Sequence, residues 1–384
     1  MLVDLHAHFP IHLLPDEQQR THERARQWWR RRWQAWLVRL ISRFANYQGP
    51  GDEPAVTPAL MRAGDVKVVL SVLYQPFDEM DLSQDYASPP RPGYFDDLVA
   101  QLQTVEDYAA AHPADVTIAH DRHELDRLLA GDVPILIHAV EGGFHLGDTP
   151  DDVTRNVHAL AGRGVAYVTL AHLFFRELAT NAPALPFLPD WLYHAAFPQP
   201  AEGLAQLGRA AVEAMVDAGI LIDLTHMSAV SRAGVLALLD ERDPHRRVPV
   251  IATHMACRFG ALEYCFDDDS VRRIAARGGV MGTILCSHYI TDGLRMTVTE
   301  FAQSVEALCR HIDRIHELTG SFDHIGIGSD LDGYIKPALP GLEHLGRMRE
   351  LQSALAQRYG AGEAEKICSG NALRVLRAAW RATP

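Results

Sequence analysis

The sequence predicts an α/β protein with the (β/α)8 fold, a TIM barrel with insertions after strands 1 and 4. Eight short apolar runs recur along the 384 residues, and most are continuous rather than alternating. Continuous runs are typical of parallel strands that are covered on both faces. Eight strands with helices between them commonly close a barrel of about 250 residues, so the remaining residues must form inserted loops and terminal helices. Because no linker-like change of composition and no repeat interrupts the chain, the simplest interpretation is one domain over residues 1–384.

The individual elements follow from the positions of these runs. In chain order the eight predicted strands are 2–5, 66–73, 134–140, 165–171, 220–224, 248–253, 279–285 and 324–328. Amphipathic stretches lie between them, and the clearest are 203–217, 228–239 and 298–318. Each is long enough for a helix that connects two parallel strands.

Two insertions stand out. The first, from residue 10 to about 58, holds four of the six tryptophans and many arginines, and its apolar stripe has helical spacing: Trp29, Trp33, Trp36, Leu40 and Phe44. We expect a helix packed on the barrel with its arginines in water. The alternatives are a homodimer interface or active-site lid, and binding to a membrane surface or nucleic acid. The second insertion, 180–200, is rich in proline and aromatic residues. It follows the fourth strand on the face where barrel active sites lie, so we expect it to wall off a substrate pocket.

Composition and charge exclude several functions. The 36 basic and 49 acidic residues give a net charge of −13, which argues against a nucleic-acid partner because phosphate binding needs a basic face. No apolar run reaches the roughly 18 residues that span a bilayer, and the opening MLVDLHAH lacks a signal-peptide pattern, so we expect no membrane partner. Five scattered cysteines without a CxxC pair indicate a reducing compartment, and we expect a cytoplasmic protein. The 20 histidines direct the search toward metal chemistry.

Histidines or carboxylates follow six of the predicted strands. They are His6 and His8, Glu141, His172, His226, His254 and Asp330. The carboxyl ends of barrel strands meet at one mouth, so these residues can form one site. Two histidines at i and i+2 point to the same side of a strand, and His6 and His8 can therefore bind one ion. Each residue alone has a structural alternative, such as a core histidine or a tight turn at Glu141, but their joint placement favours a catalytic metal site.

The sequence resembles the renal (membrane) dipeptidase family of zinc peptidases, within the amidohydrolase superfamily. The matching segments are 140–143 (VEGG), 167–172 (YVTLAH), 223–228 (DLTHMS), 249–254 (PVIATH), 325–333 (IGIGSDLDG) and 370–376 (GNALRVL). The resemblance covers nearly the whole chain apart from the first insertion. It implies a hydrolase with two zinc ions (Zn2+) per chain and a hydroxide bridging them. The implied substrate is a dipeptide-like small molecule that is cleaved at a peptide or amide bond.

The resemblance also implies a role for each site residue. It places His6 and His8 on the first ion, His226 and His254 on the second, and Glu141 between the two. Asp330 is the implied ligand that holds the metal-bound water and moves its proton. His172 is similar to the family histidine that reaches the substrate carbonyl. We interpret Asp223 and Asp332 as residues that orient the ligands.

Two departures from the family pattern concern ligand charge and substrate recognition. The first family motif reads His-x-Asp, whereas here His8 stands in place of the aspartate and leaves the site less negative. After the sixth strand the family carries an arginine that pairs with the terminal carboxylate of the substrate. Arg258 lies too early for that role and is interpreted as structural, and no arginine stands near the later position. A dipeptide would therefore lose a charge-assisted partner.

Three classes of function remain open at this point. The first is the dipeptidase-like hydrolase, and the second is a superfamily enzyme acting on a lactone, another amide or a carboxylate lost as CO2. The third is a non-catalytic metal-binding or scaffold protein, which would have lost a ligand, and none is plainly lost. Four further histidines are interpreted as surface or core residues rather than ligands, with a pocket-lining alternative for His288: His138, His145, His288 and His311.

Overall fold

A closed ring of eight parallel strands confirms the predicted fold class. The computed structural model describes residues 1–13, 53–79, 87–91, 93–333 and 337–381. Its strands are β1 Leu2–Ala7, β2 Val66–Leu73, β3 Thr117–Ile118, β4 Ile135–Glu141, β5 Tyr167–Thr169, β6 Leu221–Asp223, β7 Val250–Met255, β8 Val280–Thr283 and β9 Ile325–Ile327. The order around the sheet is β2-β1-β9-β8-β7-β6-β5-β4, and the ring closes where β2 pairs with β4. All eight predicted strands are present.

The structure adds one strand that the sequence did not predict. The two-residue β3 pairs in parallel with the start of β4, at Ile135 and Leu136. Two residues are too few to produce a hydrophobic period, so local pattern gives no signal for such a strand.

Helices cover the outside of the ring. In the described residues they are α1 Pro58–Ala63, α2 Pro76–Glu79, α3 Gly93–Ala111, α4 Arg122–Leu128, α5 Pro150–Gly162, α6 Asp190–Ala196, α7 Gln206–Ala218, α8 Ala229–Arg242, α9 Asp268–Ala276, α10 Ser287–Ile290, α11 Phe301–Thr319, α12 Met348–Tyr359, α13 Ala361–Glu365 and α14 Asn371–Ala379. Among these helices, none is long and apolar enough to cross a membrane.

The three helices predicted most clearly are present as α7, α8 and α11, with shifted ends. Helix α7 begins three residues later than predicted, at Gln206. Gly203 has a φ of 73° there, and Leu204 forms a β-bridge with Ala179, so neither residue has a helical backbone conformation. Most of the first insertion, residues 14–52 with its four tryptophans, lies outside the described residues, and its interpretations stay predictions.

The alternation of side chains along β4 separates the barrel interior from the helix layer. Ile135 and Ile137 belong to an apolar cluster with residues of six other barrel strands and the buried Trp380. Residues from that many strands can meet only inside the ring. Because side chains alternate along a strand, Glu141 shares this inner face at the carboxyl end of β4. His138 points the other way, toward the surrounding helices.

Candidate metal centre

The carboxyl ends of the strands bring all seven predicted site residues to one mouth of the barrel. They are His6, His8, Glu141, His172, His226, His254 and Asp330, and every one is buried. His226 and Asp330 lie in the loops after β6 and β9 with φ values of 64° and 56°. Such positive values are uncommon for residues other than glycine. These two turns therefore aim their side chains at the mouth instead of continuing the strands.

Glu141 lies at the centre of this cluster. Its Oε1 atom is 3.4 Å from the Nε2 atom of His6, of His226 and of His254. Its Oε2 atom is 3.3 Å from Nε2 of His8. Tetrahedral coordination with bonds of about 2.1 Å separates ligand atoms by about 3.4 Å, so the spacing fits ligands of a shared ion. Oε1 is also buried without a hydrogen-bond partner among the described residues, as suits an atom that can ligate a metal.

Asp330 brings a second carboxylate to the same point. Its Oδ1 atom lies 3.3 Å from Nε2 of His8 and 3.8 Å from Nε2 of His6. Burial lowers the pKa of His8, but hydrogen bonds with Asp330 and Glu141 outweigh burial and raise that pKa to about 10. A cation bound here would displace the proton, so binding is linked to proton release. Gly333 leaves the needed room, since a Cβ there would lie 1.9 Å from Oδ1 of Asp330.

Hydrogen bonds behind the cluster determine which ring nitrogen faces it. The Thr253 hydroxyl donates to Asp223 at 2.7 Å, so it accepts from the Nδ1–H of His254 at 2.9 Å. The Tyr167 hydroxyl donates to a backbone carbonyl at 3.1 Å and accepts from the Nδ1–H of His6 at 2.7 Å. Both imidazoles then present an unprotonated Nε2 to the cluster, as metal-binding histidines do. Burial also lowers the pKa of His254 well below its usual range, which keeps the ring neutral.

Asp223 organises this outer layer. It accepts five hydrogen bonds, from the Thr169 hydroxyl and from the backbone N–H and hydroxyl of both Thr225 and Thr253. The carboxylate therefore ties together the ends of β5, β6 and β7. This placement agrees with the orienting role that the sequence predicted for it.

The sequence analysis missed Glu79, which positions His172. The Nδ1–H of His172 donates to Oε2 of Glu79 at 2.6 Å, and this carboxylate also accepts from the Tyr74 hydroxyl and from the backbone N–H of Leu173 and Phe174. The imidazole consequently turns its Nε2 toward Glu141, 3.5 Å from Oε2. Glu79 ends α2, just beyond β2. The rule that polar residues follow strand ends would have found it if applied to the second strand.

One of two further interpretations, that of Asp332, turns out differently, whereas that of Arg258 is confirmed. Asp332, which was interpreted as an orienting residue, accepts hydrogen bonds from the backbone N–H of Ala55 and Val56 and pairs with His12 at 3.2 Å. Asp332 thus holds the backbone of Ala55 and Val56 beside the mouth and does not orient a proposed metal ligand. Arg258 donates to the carbonyls of Cys265 and Glu263, which confirms a structural role within its own loop.

Part of the second insertion lines a cavity of about 300 Å³. Residues 183–190 form one side, and Leu262, His288 and Tyr289 close the other. The Tyr289 ring stacks on Tyr264 at 4.0 Å, and Tyr264 lies edge-on to His226 at 5.1 Å. Aromatic contacts therefore connect this cavity to the cluster, and His288 is a lining residue.

Comparisons with known proteins agree with this architecture. The profile of a family described as membrane dipeptidase (peptidase family M19) matches residues 52–383. The dipeptidase verJ of Clonostachys rogersoniana is 27% identical over 244 residues, which are 62% of this chain and 53% of that protein. The chain spans about half the length of the curated relatives that it matches.

Two solved structures share the fold. The dipeptidase AC, an M19 metallo peptidase, has a TM-score of 0.70 at 21% identity, covering 90% of this chain and 96% of that one. A metallo peptidase from Rhodobacter sphaeroides, liganded with a phosphinate mimic of the dipeptide L-Ala-D-Ala, has a TM-score of 0.70 at 18% identity, covering 99% of both chains.

Proposed function

Since the chain belongs to the membrane dipeptidase family of metallopeptidases, we propose that it hydrolyses the peptide bond of a dipeptide-like small molecule with two zinc ions. The observation that carries this proposal is the convergence of four imidazole Nε2 atoms on the two oxygens of Glu141, at 3.3–3.4 Å. A buried set of imidazole nitrogens and carboxylates suits zinc, and such sets also accept manganese, cobalt or iron.

The proposed ligands divide between two ions. His6 and His8 would hold the first ion, His226 and His254 the second, and Glu141 would bridge them. The bridge is supported by the contacts of the Glu141 carboxylate with both pairs. Its Oε2 and Oε1 atoms lie 3.3 and 3.4 Å from His8 and His6 of the first pair, and Oε1 lies 3.4 Å from both histidines of the second pair. Asp330, at 3.3 Å from Nε2 of His8, would add a ligand to this end of the site.

When bound, the ions would lower the pKa of the attacking water and polarise the scissile carbonyl. Proton transfer and oxyanion binding would be carried out by residues of the chain itself. Asp330 holds a carboxylate oxygen at the mouth, where it would take the proton of the attacking water and deliver it to the leaving amine. Burial lowers the pKa of His172, but the charges of Glu141 and Glu79 outweigh burial and raise that pKa, so the ring can carry a proton on both nitrogens. With Nδ1–H held by Glu79, His172 would donate a hydrogen bond from Nε2–H to the oxyanion that develops on the substrate.

A specific observation favours a second candidate, a hydrolase for amides or lactones without a free carboxylate. Arg258, the arginine after β7, donates to backbone carbonyls at 3.0 and 3.2 Å. These hydrogen bonds hold the guanidinium of Arg258 within its own loop. The cavity that Tyr289 and Tyr264 connect to the cluster is lined by one carboxylate, Asp190, and by mainly apolar residues. Such a wall would repel a substrate carboxylate rather than bind it.

The deciding experiment is metal analysis combined with hydrolysis of L-Xaa-D-Xaa and L-Xaa-L-Xaa dipeptides, each also tested as the C-terminal amide. We expect about two zinc ions per chain and a turnover that chelation abolishes and zinc restores. Free dipeptides cleaved faster than their amides would support the dipeptidase, and the reverse order would support the second candidate. Protein that binds no metal after reconstitution would refute both.

For the compartment we propose the cytoplasm, because all five cysteines are free and buried, as is typical of a reducing environment.

A further inference from the structure

A second group of potential metal ligands lies outside the barrel mouth. It consists of Glu106 on α3, His120 in the loop between β3 and α4, and His138 on β4, and their candidate ligand atoms all lie within 4.8 Å of one another. His138 precedes Glu141 by three residues, which is about 10 Å along a strand. The odd spacing places the two side chains on opposite faces of β4, so this group lies between the barrel wall and the helices.

The distances in this group are too long for hydrogen bonds and close to those around an ion. Oε1 of Glu106 is 3.7 Å from Nε2 of His138 and 3.8 Å from Nε2 of His120. Ligand atoms of a tetrahedral zinc ion are separated by about 3.4 Å, so an adjustment of a few tenths of an ångström would bring Oε1 of Glu106 to ligand spacing from each nitrogen. The two nitrogens lie within 4.8 Å of each other.

His138 supplies the independent observation that something binds here. Its side chain is fully buried, and neither Nδ1 nor Nε2 has a hydrogen-bond partner among the described residues. Buried polar atoms in native proteins are almost always satisfied by protein, water or an ion.

His120 is already oriented as a ligand. Its Nδ1–H donates to Oε2 of Glu124 at 3.1 Å, and its Nε2 faces Glu106. A carboxylate behind a histidine is the arrangement that metal sites use to fix the tautomer. The backbone is fixed too, because a Cβ at Gly164 would lie 2.6 Å from Cα of His120.

The guanidinium of Arg163 occupies only one of the two carboxylate oxygens of Glu106, so the other oxygen can serve as a metal ligand. Arg163 donates to Oε2 of Glu106 at 2.7 Å and to Gln103 at 2.9 Å. Oε1 of Glu106 remains directed at the two imidazoles. The side chain of His120 is 44% exposed, so an ion can reach the group from solvent while His138 closes it from the inside.

We propose that Glu106, His120 and His138 bind one divalent transition-metal ion, of which zinc is the reference, at a site separate from the barrel mouth. Two histidines and one carboxylate leave a coordination position for water. Because no described contact joins these residues to the mouth cluster, we assign the site a role outside the chemical step. This proposal does not depend on the proposed peptidase activity.

The test is the difference in zinc content between the full chain and two single variants, measured after equilibration against a zinc buffer and removal of free metal. His120→Ala removes a half-exposed ligand, and His123→Ala removes an exposed histidine from the next helix as a matched control. We expect His120→Ala to hold one zinc ion fewer per chain than the wild type. His123→Ala should equal the wild type, and dipeptide hydrolysis by His120→Ala should be unchanged.

A third variant tests the orientation of the His120 ring and gives an independent result if His120→Ala does not fold. Glu124→Gln keeps every proposed ligand and should weaken zinc binding at this site by about 10- to 100-fold, as read from competition with a chromogenic chelator. Equal zinc content and equal affinity in all variants would overturn the proposal and leave a buried water as the partner of His138. Because the readout is a difference between variants, it stands whether the mouth cluster binds two ions or none.

Discussion

The contact between Glu79 and His172 makes a sharp prediction about turnover. In Glu79→Gln the amide oxygen can still accept from the backbone N–H of Leu173 and Phe174, as Oε1 does now at 2.7 and 3.2 Å. The amide NH2 then faces the Nδ1–H of His172, which now donates at 2.6 Å. Two donors cannot pair, so the imidazole must give up its Nδ1 proton, and with it the positive charge that would stabilise the oxyanion, or rotate away from its present direction.

The size of the effect follows from the role of this contact. Loss of a residue that orients an active imidazole commonly costs 10- to 100-fold, which corresponds to about 1.4–2.7 kcal/mol of transition-state stabilisation. Since Glu79 contacts no proposed metal ligand directly, we expect kcat to fall by this factor with little change in KM or zinc content. Glu79 is fully buried, so the free energy of unfolding should also fall by about 1–3 kcal/mol.

The assay is steady-state hydrolysis of the best dipeptide, with urea unfolding to verify that the variant is folded under assay conditions. Glu317→Gln, on the exposed side of α11, is the control for loss of a carboxylate. A folded Glu79→Gln protein with kcat within about twofold of the wild type would refute the positioning role, given the 10-fold minimum expected.

Two further predictions test the outer layer and the core. Asp223→Asn replaces the acceptor of five hydrogen bonds, and we expect zinc affinity at the mouth to fall by about 10- to 100-fold; an unchanged affinity in a chelator competition would contradict this. His311 accepts from the backbone N–H of Cys257 and donates to the carbonyl of Ile290, each at 2.9 Å, and burial lowers its pKa to about 4. Below pH 6.5 the unfolded chain binds a proton at His311 more readily than the folded chain does. The contribution of His311 to the free energy of unfolding is therefore full above pH 6.5 and is lost as the pH falls toward 4. The loss is about 3 kcal/mol; urea unfolding at pH 7.5 and 4.5 measures it, and His311→Gln should show a smaller difference than the wild type.

The prediction of the fold succeeded where the information is local. A strand such as Val66–Leu73 is a continuous apolar run, and its bounds agree with the sequence to the residue. The two-residue β3 has no such pattern, because two residues are too few to show a hydrophobic period. The start of α7 also moved, since Leu204 pairs with Ala179, a partner that the helical period does not reveal.

For the site, the sequence identified residues that follow strand ends but not the contacts that orient them. His6 and Glu141 were predicted together, although 135 positions separate them, because parallel strands bring their carboxyl ends to one mouth. Glu79 follows the second strand, but its contact with His172 forms only after the loop beyond β2 has folded back, so its role is not visible in the sequence. The group around His138 was missed for a similar reason, because no local sequence pattern relates Glu106 and His120 to β4.

The sequence by itself determined the ring of strands and the chemical identity of the residues at its mouth, because hydrophobic period and strand order depend on neighbours along the chain. Only the tertiary structure decided which nitrogen of His254 faces Glu141, which carboxylate holds His172, and that His138 faces the helices. Those outcomes depend on the register of strands and on hydrogen bonds between distant residues such as Thr253 and Asp223. Distances of a few tenths of an ångström, which folding alone sets, separate an ion site from a hydrogen bond.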